Sequence, residues 1–298
     1  MHFQIFKKRA GTTDLGKEYE TITIANIVLL MVSDDKINNF HISSNADKFG
    51  AFDDIVVKIE SDQNIVVKAM QLKHSDRKAL SLDQLKSVKG DFSLSKYFES
   101  FQHLKNEVQE FIIFTNRSFD ITDKTKFQLD GKNFYVRPVK VCNSPGNLEI
   151  SKNVDYVYKF EIVEDAWTAQ HVSELQEYKA FFTKLFLYTN QENFDALRLS
   201  TIEKFRTMYS SSEKVFDQYY KIISEWNMRK GKKEKLHKKW MQRAIALQLL
   251  SPYIEPLSFG QVNDKMKILR DAVSTFTITI IEKNLCKNAT QLWGDTVN

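Results

Sequence analysis

Two cysteines, four prolines and nine glycines are few for a chain of 298 residues. Cys142 and Cys286 stand far apart, which excludes both a disulfide framework and a zinc site of CxxC spacing. Cysteine usage this sparse points to a reducing, intracellular setting, cytoplasmic or nuclear. The low glycine and proline content, with no low-complexity linker and no internal repeat, excludes a disordered chain. Long apolar runs are missing too. The longest, Ile22 to Val32, is interrupted by Thr23 and Asn26 and falls well short of the ~20 residues that span a bilayer, so no membrane partner is expected. Met1 to Arg9 carries three basic residues with no apolar segment behind them, so a signal peptide is not expected. There is no GxxxxGK[ST] phosphate loop, so the chain does not itself supply an NTPase. A net charge of +5 is compatible with a polyanionic partner but too small a surplus to identify one.

What is present is aromatic and β-branched. Twenty-two Phe and eleven Tyr supply large apolar side chains, most of them for the core. Hydrophobic residues at 42% and charged residues at 27% describe an ordinary folded protein, and the length suggests two domains at ~150 residues each. Asp14 can cap a helix from Leu15 to about Val32, because Leu15, Tyr19, Ile22, Ala25, Val28 and Leu29 share a stripe. Phe40–Ser44 reads as a short strand. Asp54–Ile59 and Ile65–Lys73 read as two further strands joined by the polar turn Ser61-Asp62-Gln63-Asn64, an antiparallel meander. Leu94, Tyr97, Phe98, Phe101 and Leu104 share one face of a helix capped near Ser93, and Phe111–Thr115 is an apolar run suited to a strand buried on both faces. Residues 132–141 and 154–162 add strands, with a turn at Asn143–Gly146 between them. From Trp167 onward helical periodicity governs 167–190, 194–209, 213–228, 232–250 and 261–285, broken at Pro252 and Pro256.

Side chains alternate along a strand, so Gln71 and Lys73 project on the same side as Val67 and Ala69. An ammonium on an otherwise apolar face needs a carboxylate or an anionic ligand, since burying it alone costs several kcal/mol. Asp54 is the candidate. If Ile59 pairs near Ile65, Asp54 falls near Met70 to Gln71. An acid at one strand end, then Gln, any residue and Lys at the adjacent strand end, resembles the active-site signature of the PD-(D/E)xK restriction-endonuclease-like superfamily. Asp53-Asp54-Ile-Val-Val and Gln71-Leu-Lys73 carry the resemblance. Gly16-Lys-Glu-Tyr19-Glu20 resembles the opening of the first helix in its Mrr-like branch, and Phe111–Asn116 the strand after its long helix. The likeness covers residues 14–116.

The resemblance implies a mixed α/β sheet flanked by helices in residues 1–165, with the helical stretch 166–298 as a second, all-helical domain. It also implies a Mg²⁺- or Mn²⁺-dependent endonuclease that hydrolyses phosphodiester bonds, of DNA with low sequence preference. Asp54, the Gln71 carbonyl and the Leu72 main-chain carbonyl would ligate the cation, which prefers hard oxygen donors. Lys73 would orient or deprotonate the attacking water and offset charge on the phosphate. Glu20 would reach from the first helix to hold a water of the cation, with Glu18 its competitor on the same turn. Gln71 departs from the usual acid and takes one negative charge out of the site. The alternative is therefore a nuclease fold that no longer cleaves and serves nucleic-acid binding or protein interaction. Similar modules belong to defence proteins, including anti-phage effectors and animal proteins joined to NTPase and ankyrin-repeat regions. Fusion to, or partnership with, such a domain follows by resemblance, and a homodimer is expected because a nuclease unregulated in a cell is toxic. The basic run Arg229 to Lys239, with Lys232, Lys233, Lys235, Lys238 and Lys239, is the candidate grip on a phosphate backbone, against the plainer account of a solvated face.

Overall fold

Alternate side chains of four adjacent strands part cleanly to two sides. Ile55 and Val57, Met70 and Leu72, Ile112 and Phe114, and Phe186 and Tyr188 enter one hydrophobic cluster. Val56, Ala69, Phe111, Ile113, Leu185 and Leu187 enter another. A period of two with both faces apolar is what a sheet covered by helices on each side demands. The structure, a computed structural model, describes residues 8–62, 64–75, 79–119, 121, 124–129, 131–132, 134–141, 156–163, 172–229 and 235–250.

The chain begins with α1 (Lys8–Ser33), followed by the antiparallel strands β1 (Ile37–Ser44), β2 (Ile55–Ser61) and β3 (Ile65–Lys73), with a 3-10 segment (Asp47–Phe52) between β1 and β2. Two helices, α2 (Leu82–Lys86) and α3 (Leu94–Leu104), lead to β4 (Glu110–Thr115). Then come β5 (Phe127–Gln128), β6 (Tyr135–Val141), β7 (Val157–Val163), α4 (Val172–Lys184) and β8 (Leu185–Tyr188). Last are α5 (Phe194–Tyr209), α6 (Glu213–Met228), β9 (Leu236–His237) and α7 (Lys238–Leu250). Among the described residues the sheet has nine strands in the order β5-β6-β7-β8-β4-β3-β2-β1-β9. The pairs β3–β4 and β4–β8 are parallel and the others antiparallel, so the sheet is mixed.

α1 lies on the first face with α5, α6 and α7 packed around it; Tyr19 and the apolar residues from Ile22 to Met31, Leu30 excepted, are almost wholly buried. Each large side chain buried this way contributes about 1.5–3 kcal/mol. Polar anchors fix the helix as well. The Tyr219 hydroxyl donates to the Ala25 carbonyl at 2.7 Å, and the Lys204 ammonium donates to Asn26 Oδ1 at 2.6 Å. On the second face, α3 and α4 pack through stacked rings: Phe98 and Tyr178 are 3.8 Å apart between centroids, and Phe101 meets Phe111 edge-on. Ser93 caps α3 as its position predicts, accepting from the Lys96 N–H at 3.2 Å.

The meander, the helix after it and the strand at 110–115 stand where the hydrophobic pattern puts them. α1 instead starts at Lys8, which places Asp14 inside the helix rather than at its cap. The helix expected over 167–190 ends at Lys184, and Leu185–Tyr188 is a strand parallel to β4. Four consecutive apolar residues, all buried, carry no periodicity that separates a two-faced strand from a helix end. Leu236 and His237 pair with Ile42 and His41 as β9, so the stretch after 166 holds strands as well as helices. The expected boundary at 165 falls at 164–171, outside the described residues, as do both cysteines, the turn at 143–146 and the helix expected over 261–285. Described residues on both sides of that boundary share one sheet and both hydrophobic clusters. No helix among the described residues is long and apolar enough to cross a membrane.

Candidate functional site

The β2–β3 hairpin sets the geometry. Ile59 pairs with Val66 and Ile55 with Met70, a register one residue along from the Ile59–Ile65 pairing expected, and it puts Asp54 opposite Gln71 at the open end of the hairpin. Asp54 sits just before β2, and the chain on its other side is held by main-chain bonds. The Asn45 N–H donates to the Asp54 carbonyl at 3.4 Å and the Ala46 N–H to that of Asp53 at 3.0 Å. The 3-10 segment between these residues is locked by Gly50, at φ 59° and ψ −119°, against α3, where the Ala51 N–H donates to Ser100 Oγ at 2.9 Å. The approach to Asp54 is thereby fixed at both ends.

The Asp54 carboxylate is turned inward. Its Oδ2 accepts from the Leu72 N–H at 2.7 Å and from the Gln71 side-chain amide. Burial pushes the carboxyl up to about 6; the Leu72 bond and the Lys73 ammonium oppose the rise, while Glu20 and Asp53 add to it. Three acids therefore share this end of the sheet with two nearby lysines, Lys73 and Lys17, and the neighbouring acids add to the cost of ionising Asp54.

Glu20 reaches the site from α1. It is buried, whereas its competitor Glu18 is exposed. Lys17 holds its carboxylate at 2.8 Å and Asn45 Nδ2 donates to its Oε1 at 3.0 Å. Lys73 is partly exposed and lies 3.5 Å from Asp91 Oδ1, on the loop before α3. That loop is pinned by Tyr97, whose hydroxyl donates to the Asp91 carbonyl at 2.6 Å. Burial pushes the Tyr97 phenol up, and the charges of Asp54, Asp91 and Asp53 add to the rise.

Glu20, Asp54, Gln71, Leu72 and Lys73 thus come together at one end of the sheet. Sequence reasoning missed Asn45, Lys17 and Asp91. Asn45 adopts a positive φ of 50°, which Asn tolerates better than most residues, but a lone Asn after a strand carries no signal of its own. Lys17 was in principle legible, since it stands one helical turn before Glu20.

The residues present fit a hard divalent cation in chemistry: two carboxylates, an amide and a main-chain carbonyl offer oxygen donors in a region of excess negative charge. As it stands, Gln71 presents its nitrogen to Asp54, so ligation through its oxygen requires the amide to turn over. Among the described residues no cluster of three or more His, Cys, Asp or Glu side chains is arranged as a metal cage.

The basic run divides. Lys232 and Lys233 lie outside the described residues. Lys238 directs its ammonium onto the main-chain carbonyls of Asp34, at 3.1 Å, and Ile37, fastening the turn between α1 and β1. Lys235 and Lys239 are exposed. No family model, curated protein or solved structure matches this chain.

Proposed function

We propose that this chain is a restriction-endonuclease-like module that hydrolyses phosphodiester bonds of nucleic acid with a divalent cation, Mg²⁺ or Mn²⁺. The observation that carries the reading is the meeting of Asp54, Gln71 and Lys73 at the open end of one hairpin, with Glu20 delivered from α1. The reading is also supported by the element order expected from the hydrophobic pattern, helix, three strands, helix and strand, which recurs here with a short α2 before α3 and with β4 parallel to β3.

Asp54 and Glu20 would hold the cation with the carbonyl oxygens of Gln71 and Leu72. When bound, it supplies Lewis-acid stabilisation of the charge that builds on the phosphate. Lys73, partly exposed at the strand end, places a mobile ammonium where it can donate to a phosphate oxygen or to the attacking water. Asn45 and Lys17 orient Glu20. The preferred substrate is DNA, and a defence role with a regulatory NTPase or repeat domain follows from the resemblance alone.

A second reading has its own support. The Gln71 amide donates to Asp54 where most relatives of this kind would present a second acid, and that bond weakens the site as a cation trap. In that case the fold serves binding without cleavage. Nicking of supercoiled plasmid with Mg²⁺ or Mn²⁺ separates the two. Cleavage by wild type that is lost in Lys73→Ala supports hydrolysis at this site. Cleavage that survives the substitution removes the mechanism, and DNA binding without cleavage selects the second reading.

A further inference from the structure

On the second face of the sheet, α3 and α4 with the 3-10 segment cover the middle strands and leave β1 bare, together with the adjoining Lys58 of β2 and Val67 of β3. The sequence explains why: the β1 residues on that face are His41 and Ser43, both polar, and none enters the cluster that α3 and α4 bury. The uncovered strand floors a groove of about 1110 Å³. Its cations come from separate segments: Lys17 of α1, Lys48 of the 3-10 segment, Lys58 of β2, Arg229 after α6 and Lys235 before β9. Among the described residues the acids of the lining are Asp47 and Glu107, while Glu60 and Glu20 pair with Lys58 and Lys17 from beside it.

The groove leads to the candidate site. Lys58 and Val56 occupy alternate positions of β2 and Asp54 continues that alternation just before it, with Lys58 about 13 Å from Asp54 at the usual strand rise. Lys17 and Asn45, the two partners of Glu20, stand in the groove wall. The lysine pairs there, Lys48 with Glu107 at 3.3 Å and Lys58 with Glu60 at 2.6 Å, are solvent-accessible, and water and salt screen such pairs so that they hold their partners weakly. A phosphate can replace those carboxylates. The groove cations lie close enough to act on His41: burial lowers its pKa, Glu60 opposes this, and Lys235, Lys58 and His237 lower it further.

We propose that this groove seats the nucleic-acid backbone that flanks the bond presented to Asp54, with Lys58 and Lys235 as its principal phosphate contacts. The proposal rests on the reading of the Asp54 end as a phosphodiester site. It differs from the basic run read off the sequence, because it recruits residues from five segments and leaves Lys238 and Lys239 out.

The test is binding of the full chain to a fluorescent DNA oligonucleotide in EDTA across a salt series, with cleavage measured separately. Lys58→Ala/Lys235→Ala should weaken binding roughly tenfold and lower the slope of log K against log salt by about two, since each phosphate contact contributes about 0.9. Lys239→Ala should match wild type. Unchanged affinity and slope in the double variant would overturn the proposal, as would a wild type that binds neither DNA nor RNA, which would instead favour an acidic protein partner. Binding that depends on Lys58 and Lys235 in a wild type that cuts nothing sustains the groove while the hydrolytic reading falls. Full cleavage by a double variant of unaltered affinity does the reverse.

Discussion

Asp54 and Gln71 face each other one step beyond the last paired rung of the β2–β3 hairpin, and the Gln71 amide donates to the carboxylate it opposes. That contact joins the two residues on which the hydrolytic and the non-cleaving readings divide. It also couples the protonation of Asp54 to the stability of the fold.

Burial raises the Asp54 carboxyl from about 3.8 to about 6. A folded pKa above the unfolded one means that the folded chain binds more protons between these values. Stability from this group is therefore greatest below about pH 4 and declines as pH rises through about 6, a loss of about 3 kcal/mol at pH 8. Asp54→Asn keeps an acceptor for the Leu72 N–H and removes the charge. In metal-free urea melts the variant should be more stable than wild type at pH 8, with the gap closing towards pH 4. Equal stability at both pH values would refute the buried, charged Asp54.

Replacing the amide by an acid tests the cation directly. Gln71→Glu deletes the donor to Asp54 and adds a second carboxylate beside it, a change that should cost about 1–3 kcal/mol in the absence of metal. Mn²⁺ should restore that loss and bind at least tenfold more tightly than to wild type by calorimetry, with affinity rising from pH 5 to 7.5 as the acids ionise. A variant whose melting ignores Mn²⁺ would argue against ligation at this end of the sheet.

The meander and the site were legible in the sequence for one physical reason. Period-two runs such as Ile55–Val57 and Ile65–Lys73 determine which residues share a face, so the convergence of Asp54, Gln71 and Lys73 followed once the hairpin turn was placed. The same logic fails for Leu185–Tyr188, where both faces are buried and all four residues are apolar, and for Leu236–His237, where two residues are too few to show a period. It fails also for Asn45 and Asp91, which are brought to the site by a positive φ and a helix-preceding loop. The bare face of β1 was written in His41 and Ser43, but its meaning depends on where α3 stops, a tertiary fact.

Gly50 is the hinge pin of the approach to Asp54. A Cβ there would lie 2.7 Å from Ser100 Oγ, on a backbone at φ 59° that L side chains rarely adopt. Gly50→Ala should cost about 1–3 kcal/mol from backbone strain alone. Ser100→Gly in the same chain relieves the contact but not the dihedral, so it should recover only part of the loss. Full recovery would mean that the side-chain clash, and not the backbone, is what glycine avoids.

Lys68 and Glu110 form a pair at 2.7 Å, facing each other across the parallel β3–β4 register with Lys68 buried. Removing one partner strands a charge in the sheet, so Glu110→Ala should lose about 3–5 kcal/mol. Replacing both with apolar residues of similar length, Lys68→Met with Glu110→Leu, removes the desolvation penalty along with the attraction and should come within about 1–2 kcal/mol of wild type or exceed it. Because this pair lies on the central strands and away from Asp54, the double variant should keep its cation affinity. A double variant as unstable as Glu110→Ala alone would show that the pair contributes more than the desolvation it incurs, and would make it a determinant of the β3–β4 register rather than a replaceable contact.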